Sequence, residues 1–425
     1  MQIQDLYRIY SEHPSIQTDS RKLQSGDLFF ALKGPNFNGN QFAKQALAAG
    51  AAYAVIDEPV DFFDDRLIET TDVLYTLQQL AKYHRQQFNI PFIAITGSNG
   101  KTTTKELVHE VLKSTYITYT TKGNLNNHIG IPLTILSVKK DAAMAVIEMG
   151  ANHQKEIESY CTYTLPTHGI ITNCGKAHLE GFGGAEGVRK GKGELYDFLR
   201  ANNGTVFLMK DYDYLLEMSK GIAAIKTYGT TDADIVGVAD KTGELLEVTM
   251  LKGTTIERIK THLVGSYNLP NVLVAVTVGK YFNVPDDKIK TALENYIPSN
   301  SRSQLIERDG NKIILDAYNA NPTSMKAAIE NFAGMQGEDK ILLLGGMMEM
   351  GEESLAEHTG IVKLIEQYQW KKVVLVGGDF DKIKHPYINF KTSLEAKEWL
   401  QQQHFKNSLL LVKGSRSMQM EKVLE

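Results

Sequence analysis

Residues 93–112 read IAITGSNGKTTTKELVHEVL. An apolar run ends at Thr96, a glycine-containing loop follows, and a helical pattern opens near Thr102, with Leu107, Val108, Val111 and Leu112 at helical spacing. Gly97 and Gly100 permit backbone conformations closed to other residues, so successive N–H groups can converge on a phosphate. The helix start adds partial positive charge, Lys101 a full one, and the Thr102 hydroxyl can ligate Mg²⁺. The spacing departs from G-x-x-x-x-G-K-[ST], because Ile95 stands where the first glycine belongs; G-x-x-G-K-T-T remains. The competing reading is a glycine turn beside a surface lysine. Strand before and helix after favour nucleotide binding, which alone does not name a reaction.

Outward from this loop, short apolar runs alternate with amphipathic stretches. Expected strands are 27–32, 53–56, 92–96, 143–148, 169–173, 312–316, 340–345, 372–377 and 408–413. Several are apolar at consecutive positions, as in parallel strands covered on both faces, so the fold class is α/β. The polar stretch 81–91 (AKYHRQQFNIP) and the Ser/Asn-rich 297–303 (IPSNSRS) read as junctions, giving domains 1–85, 86–300 and 301–425. Residues 212–256 read as a β-rich excursion within the middle domain.

The net charge of −4 gives no support for a non-specific nucleic-acid binder, so anionic ligands must meet local cations. Two cysteines, Cys161 and Cys174, exclude a disulfide scaffold and fit a reducing compartment. The start MQIQDLYRIYSEHPS lacks a signal-peptide pattern, and no apolar run approaches a membrane span. A cytoplasmic protein without membrane insertion is expected.

Ligands of open α/β sheets gather at strand carboxyl ends. Glu148 ends one such strand and suits a Mg²⁺ bridging phosphates; the alternative is an ion pair with a lysine. His178 follows another and suits a second metal or a phosphate, or is a plain surface residue. Lys190 and Lys192 open a helix that otherwise reads as a solvated basic face. If a carboxylate is to meet the γ-phosphate of ATP, two anions must touch, and metal ions, lysines and arginines must neutralise them.

The segments TGSNGKTTTKE (96–106), GNLNNHIGIPLTIL (123–136), IEMGANHQKEI (147–157), ITNCGKAHLEGFG (171–183) and GSYNLPNVLVAV (265–276) resemble the Mur ligases of bacterial cell-wall synthesis. So does TDSRKLQSGDLFFALKG (18–34), while DAYNANPTSMKAA (316–328) and KGSRSMQME (413–421) resemble the branch that adds D-alanyl-D-alanine to a UDP-N-acetylmuramoyl-tripeptide. The resemblance implies three domains: a small α/β UDP-sugar-binding domain, a central P-loop parallel-sheet ATPase domain, and a C-terminal Rossmann-like domain. It implies ATP, Mg²⁺ (two ions), an acyl phosphate and a monomeric enzyme.

By position, the resemblance gives Gly97, Ser98, Asn99, Gly100, Lys101, Thr102 and Thr103 to the ATP phosphates. Thr102 and Glu148 would hold the first Mg²⁺. His178 would hold a second, together with Lys192 as a CO₂-derived carbamate. Asn268 and Asn271 would face the adenine, with helix capping by Asn268 as the alternative. Arg302 would follow the γ-phosphate, and Asp316 would accept from the ribose. Asn319 and Asn321 would reach phosphate or the dipeptide. Lys413, Ser415 and Arg416 would hold carboxylates, Arg suiting bidentate contact. Ser20 and Arg21 would contact the UDP-sugar end; Asn124, Asn126 and Asn127 the sugar or peptide. Two departures stand out. Gly346 replaces a common Asp whose role is absent here or met by Glu349, and Asn38 and Asn40 stand where Asp and His are common. Alternatives are a third-residue-adding or folylpolyglutamate-type ligase, or a P-loop nucleotide-binding protein without ligase activity.

Overall fold

The computed structural model describes residues 1–240, 244–299, 301–337 and 339–425. Residues 241–243 of the expected β-rich stretch, and Asn300 at the expected second boundary, lie outside the described residues.

Four short parallel strands, Ile16–Gln17, Leu28–Phe30, Tyr53–Ile56 and Leu67–Glu69, form the first sheet in that order. Alternate side chains face opposite ways. Phe29, Ala54 and Ile56 pack with Ala43, Ala46 and Leu47 of the helix Ala43–Ala48. Leu28, Phe30 and Val55 face the helix Val73–Arg85 and join the apolar cluster of the central domain. That helix is capped by Asp72, which accepts from Tyr75 N at 2.8 Å, and it packs on the helices Gly130–Leu136 and Glu156–Thr164. At its end, the Arg85 guanidinium donates to Thr164 O and Leu165 O, each at 3.0 Å, and lies 3.9 Å from the Phe92 ring centre. The junction expected at 81–91 is therefore tied to the second domain rather than free of it.

Among the described residues, the central sheet has nine strands. Phe92–Thr96 lies between His168–Ile171 and Met144–Glu148, parallel to both, with Ile171 opposite Thr96 and Glu148 opposite Ile95. This register brings three strand ends to one edge. The expected excursion instead extends this sheet: Ala224–Gly229 and Ile235–Ala239 continue it in parallel, and Leu245–Lys252 and Arg258–Val264 close it antiparallel. The last two strands alternate buried and open positions, the pattern of a sheet covered on one face, unlike the fully buried Phe92–Thr96. The helix Leu269–Tyr281 (LPNVLVAVTVGKY) is apolar around most of its girth because it is enclosed between the helix Lys101–Lys113 and the sheet.

The C-terminal sheet runs Gln304–Arg308, Asn311–Asp316, Leu409–Lys413, Lys340–Gly345, Lys372–Val376 and Ile388–Phe390, parallel except for its first pair. The register sets Asp316 opposite Lys413. Gly346 meets the Gly377–Gly378 turn so closely that a Cβ there would stand 2.7 Å from Gly378 Cα. Backbone occupies the room a larger residue would need. Asn38 and Asn40 are likewise absorbed locally: Asn40 Nδ2 donates to Asp57 at 2.9 Å and Asn38 Nδ2 to Glu58 at 2.6 Å. Among the described residues, no helix is long and apolar enough to cross a membrane.

Candidate active site

The loop after Phe92–Thr96 is fixed by backbone needs. Gly97 has φ of 140°, and a Cβ there would fall 2.0 Å from Thr172 Oγ1. Gly100 has φ of 79° and starts the helix Lys101–Lys113. The end of the neighbouring strand clamps the loop: Thr172 Oγ1 donates to Asn99 O at 2.6 Å, Asn99 N to Asn173 Oδ1 at 3.1 Å, and Ser98 N to Asn173 O at 2.9 Å. Lys101 Nζ donates to Gly97 O at 2.7 Å and Ser98 O at 3.3 Å. Burial lowers the Lys101 pKa, Glu148 opposes that shift and Arg302 adds to it, so these three charges share one field.

Glu148 is buried, and its Oε1 accepts from Thr102 Oγ1 at 3.1 Å and Asn126 Nδ2 at 2.8 Å. Its Oε2 is buried with no hydrogen-bond partner. An unpartnered buried carboxylate oxygen beside a hydroxyl is the donor set of a hard divalent cation, so Thr102 and Glu148 fit Mg²⁺. No group of three or more His, Cys, Asp or Glu suited to a metal occurs among the described residues, so protein ligands alone do not complete a cage. Mg²⁺ usually keeps several waters and takes phosphate oxygens. His178 lies in the same cleft, and its Nδ1 is paired with Glu349 of the C-terminal domain; both residues have positive φ, 53° and 62°.

Lys190 is on the exposed side of its helix. Lys192 is the opposite case. It is fully buried, with Nζ donating to Ala151 O at 2.9 Å and lying 4.7 Å from the Phe182 ring centre. Burial, reinforced by the Lys101 charge, drives its pKa well below the ordinary lysine value.

The C-terminal domain closes the other wall. Arg302 lies on the face of Tyr318, its guanidinium carbon 3.5 Å from the ring centre, and its Nε is buried without a partner. Lys413 Nζ donates to Asp316 Oδ2 at 2.6 Å and Asn319 O at 3.3 Å, so Lys413 and Asp316 spend their charge on each other. Asn321 caps the helix Pro322–Gly334, accepting from Ser324 N at 2.9 Å, and donates from Nδ2 to Asn99 Oδ1 at 2.7 Å. This last bond joins the C-terminal domain to the phosphate loop.

A cleft of about 1430 Å³ gathers these groups. Of the residues singled out in the sequence, its walls include Ser98 through Thr103, Asn124, Asn126, Asn127, Glu148, His178, Asn268, Asn271, Arg302, Asp316, Asn319, Asn321, Lys413 and Arg416. Gly97 and Lys192 lie behind the lining; Ser415 is buried, with its N–H on Gly346 O at 3.2 Å. Ser20 and Arg21 are outside, on a short helix of the N-terminal domain, where Arg21 is tied to Asp19 at 2.8 Å. Asn127 Oδ1 accepts from Gly130 N at 2.9 Å, bracing the turn that leads into the helix Gly130–Leu136. Asn268 does not cap its helix by side chain: its Nδ2 donates to Val264 O and its Oδ1 accepts from Asn271, both at 2.8 Å. Sequence reasoning missed Asn173, Tyr212, Tyr214 and Thr323, which also line the cleft. The strand-end rule, extended to Thr205–Met209, would have reached the tyrosine pair, whose rings stack at 5.6 Å.

The family model for the Mur ligase middle domain matches residues 95–279, that for the Mur ligase glutamate ligase domain residues 301–416, and that for the Mur ligase family catalytic domain residues 14–84. The chain belongs to the Mur ligase family. It is 34% identical to the UDP-N-acetylmuramoyl-tripeptide–D-alanyl-D-alanine ligase of Bacillus subtilis (strain 168), across 96% of this chain and 92% of that one. The namesake from Escherichia coli (strain K12) is also 34% identical, with the same coverage. MurF from Acinetobacter baumannii superimposes with a TM-score of 0.89 at 30% identity over 99% of this chain and 97% of that one. MurF ligase from Thermotoga maritima in complex with ADP gives 0.87 at 25% identity over 96% of each. Folylpolyglutamate synthase from Mycobacterium tuberculosis shares the fold alone, at 12% identity and a TM-score of 0.64, covering 82% of this chain and 93% of that one.

Proposed function

We infer that this Mur ligase joins D-alanyl-D-alanine to the tripeptide carboxylate of a UDP-N-acetylmuramoyl-tripeptide, with ATP converted to ADP and phosphate. The observation that carries the reading is the meeting of Lys101, Glu148 and Arg302 in one cleft between two domains. It is supported by relatives of that activity along nearly the whole chain.

The tripeptide carboxylate oxygen attacks the γ-phosphorus, and the bond to the ADP oxygen breaks. The dipeptide amine then attacks the acyl carbon, loses a proton, and phosphate departs with the former carboxylate oxygen. Gly97 to Thr103 orient the phosphates, and Lys101 and Arg302 lower the repulsion between two anions that must touch. Thr102 and Glu148 would hold Mg²⁺, which neutralises phosphate charge when bound. Asn126 keeps the Glu148 carboxylate aimed. The Asn99–Asn321 and His178–Glu349 contacts hold the C-terminal wall against the loop, excluding water that would hydrolyse the acyl phosphate. Asn268 and Asn271 would present amide edges to the adenine, and Asp316 would accept from the ribose. The N-terminal domain would carry the UDP-sugar end through Ser20 and Arg21. Burial lowers the Lys192 pKa, which favours the uncharged amine that adds CO₂ and supports its carbamylation as a second metal ligand with His178. We place the enzyme in the cytoplasm, as a monomer.

The test is ADP release with and without each partner. Turnover that requires both D-alanyl-D-alanine and a UDP-sugar tripeptide is expected; turnover indifferent to both defeats the reading. Product masses with lysine- or diaminopimelate-containing acceptors settle the third residue. For Lys192, activity should fall in CO₂-depleted buffer and return with bicarbonate.

A further inference from the structure

Arg302 has an unusual anchorage. The backbone beside it is irregular, with φ of 55° at Ser301 and 47° at Ser303. Two bonds fasten that turn: Tyr318 N donates to Ser301 O at 3.2 Å, and Ser303 N to Asp316 Oδ1 at 3.2 Å. The side chain itself, with Nε buried and unpartnered, lies flat on Tyr318 at contact distance. Arg416, arriving from the loop after the last strand of the C-terminal sheet, stands 5.9 Å from the same ring centre. One ring thus collects two guanidinium groups from chain segments more than a hundred residues apart.

We propose that Tyr318 is a positioning residue whose ring face holds Arg302, and more loosely Arg416, toward the anion in the cleft. The proposal rests on the reading of Arg302 as a phosphate contact. The chemistry explains why an aromatic ring serves here. A carboxylate partner would orient a guanidinium equally well, but it would cancel the charge and occupy the N–H groups. A π face attracts the cation through its quadrupole and leaves the N–H edge available to phosphate oxygens. Both residues are half-buried, with Arg302 Nε out of water, so solvent competes less for the cation than at an exposed site. The ring also limits the rotamers open to an otherwise flexible side chain, so the cation is in place before the γ-phosphate begins to transfer.

The experiment compares wild type, Y318F, Y318L, R302A and the R302A/Y318L double variant, by ADP release with both partners at saturation and by ATP titration. Y318F keeps the face and should stay within about twofold of wild type. Y318L keeps bulk without the face and should lose roughly 3–15-fold in kcat, the rate equivalent of a partly desolvated cation–π contact. In the R302A background, Y318L should cost less than about twofold more, because the group it positions is gone. Thermal unfolding of each variant separates lost fold from lost alignment. Losses that multiply in the double variant, or Y318F as impaired as Y318L, overturn the positioning role. R302A with unchanged kcat and KM for ATP instead defeats the phosphate-contact reading on which the role depends.

Discussion

Replacing Gly97 with alanine should damage the phosphate loop through Thr172, so that removing Thr172 as well adds no further loss. The glycine φ of 140° lies where an L-residue costs about 1–3 kcal/mol. The new Cβ would also stand 2.0 Å from Thr172 Oγ1, an overlap no pair of atoms tolerates. Thr172 can rotate away only by giving up its 2.6 Å bond to Asn99 O, at about 1 kcal/mol. Together these come to roughly 2–4 kcal/mol, and if the distortion falls on loop alignment, kcat/KM for ATP drops about 100-fold. T172A alone loses the bond to Asn99 and should cost about fivefold. In G97A/T172A the backbone strain remains and the bond to Asn99 is lost only once, so activity should match that of G97A, about 100-fold down, rather than the roughly 500-fold product of the two single losses. The assay is initial-rate ADP release against ATP concentration for the four proteins. G97A equal to wild type would refute the geometry of the loop; losses that multiply in the double variant would refute the role of Thr172.

Three further outcomes follow from packing and charge. G346D should destabilise by about 1–3 kcal/mol against the Gly377–Gly378 turn, read by denaturant unfolding; an unchanged midpoint counts against the close approach. K413M should cost about 3–5 kcal/mol by leaving Asp316 without its partner, and K413M/D316N should regain much of that; a double variant no better than the single one denies the pairing. His168 is buried against Phe207, Tyr281 and Phe282, and burial lowers its pKa from the usual 6.5 to about 4. Between those values the unfolded chain binds the extra proton, so stability is full above about pH 6.5 and falls toward pH 4, by up to about 3 kcal/mol from this group. H168F should flatten that part of the stability–pH curve, and an unaltered slope would assign the acid sensitivity elsewhere.

What could be read in the sequence was whatever depends on local chemistry. Strands buried on both faces print themselves as apolar runs, so Phe92–Thr96 and Lys340–Gly345 were placed to the residue. A phosphate loop needs glycines, a lysine and a hydroxyl within a few positions, so it too is local. Two short strands, Ile16–Gln17 and Thr118–Thr120, are too brief to show a period and left no trace, whereas Leu28–Phe30 showed through the apolar run around it. Partnerships between distant groups were equally silent. His178 with Glu349, Asn99 with Asn321 and Asp316 with Lys413 are separated by 171, 222 and 97 positions. Asn126 shows the difference well: its place in the motif was legible, but its grip on Glu148 required the loop to be folded back against the strand end.

The N-terminal sheet turns Leu28, Phe30 and Val55 toward the helix Val73–Arg85, and that helix gives its other flank to the ATP-binding domain. The first domain is thus not a cartridge that can be cut at residue 85 and exchanged between enzymes. Severed there, it would present a greasy flank to water and tend to clump. Change in this domain must instead accumulate in its outward loops, where a substitution leaves the shared interior undisturbed.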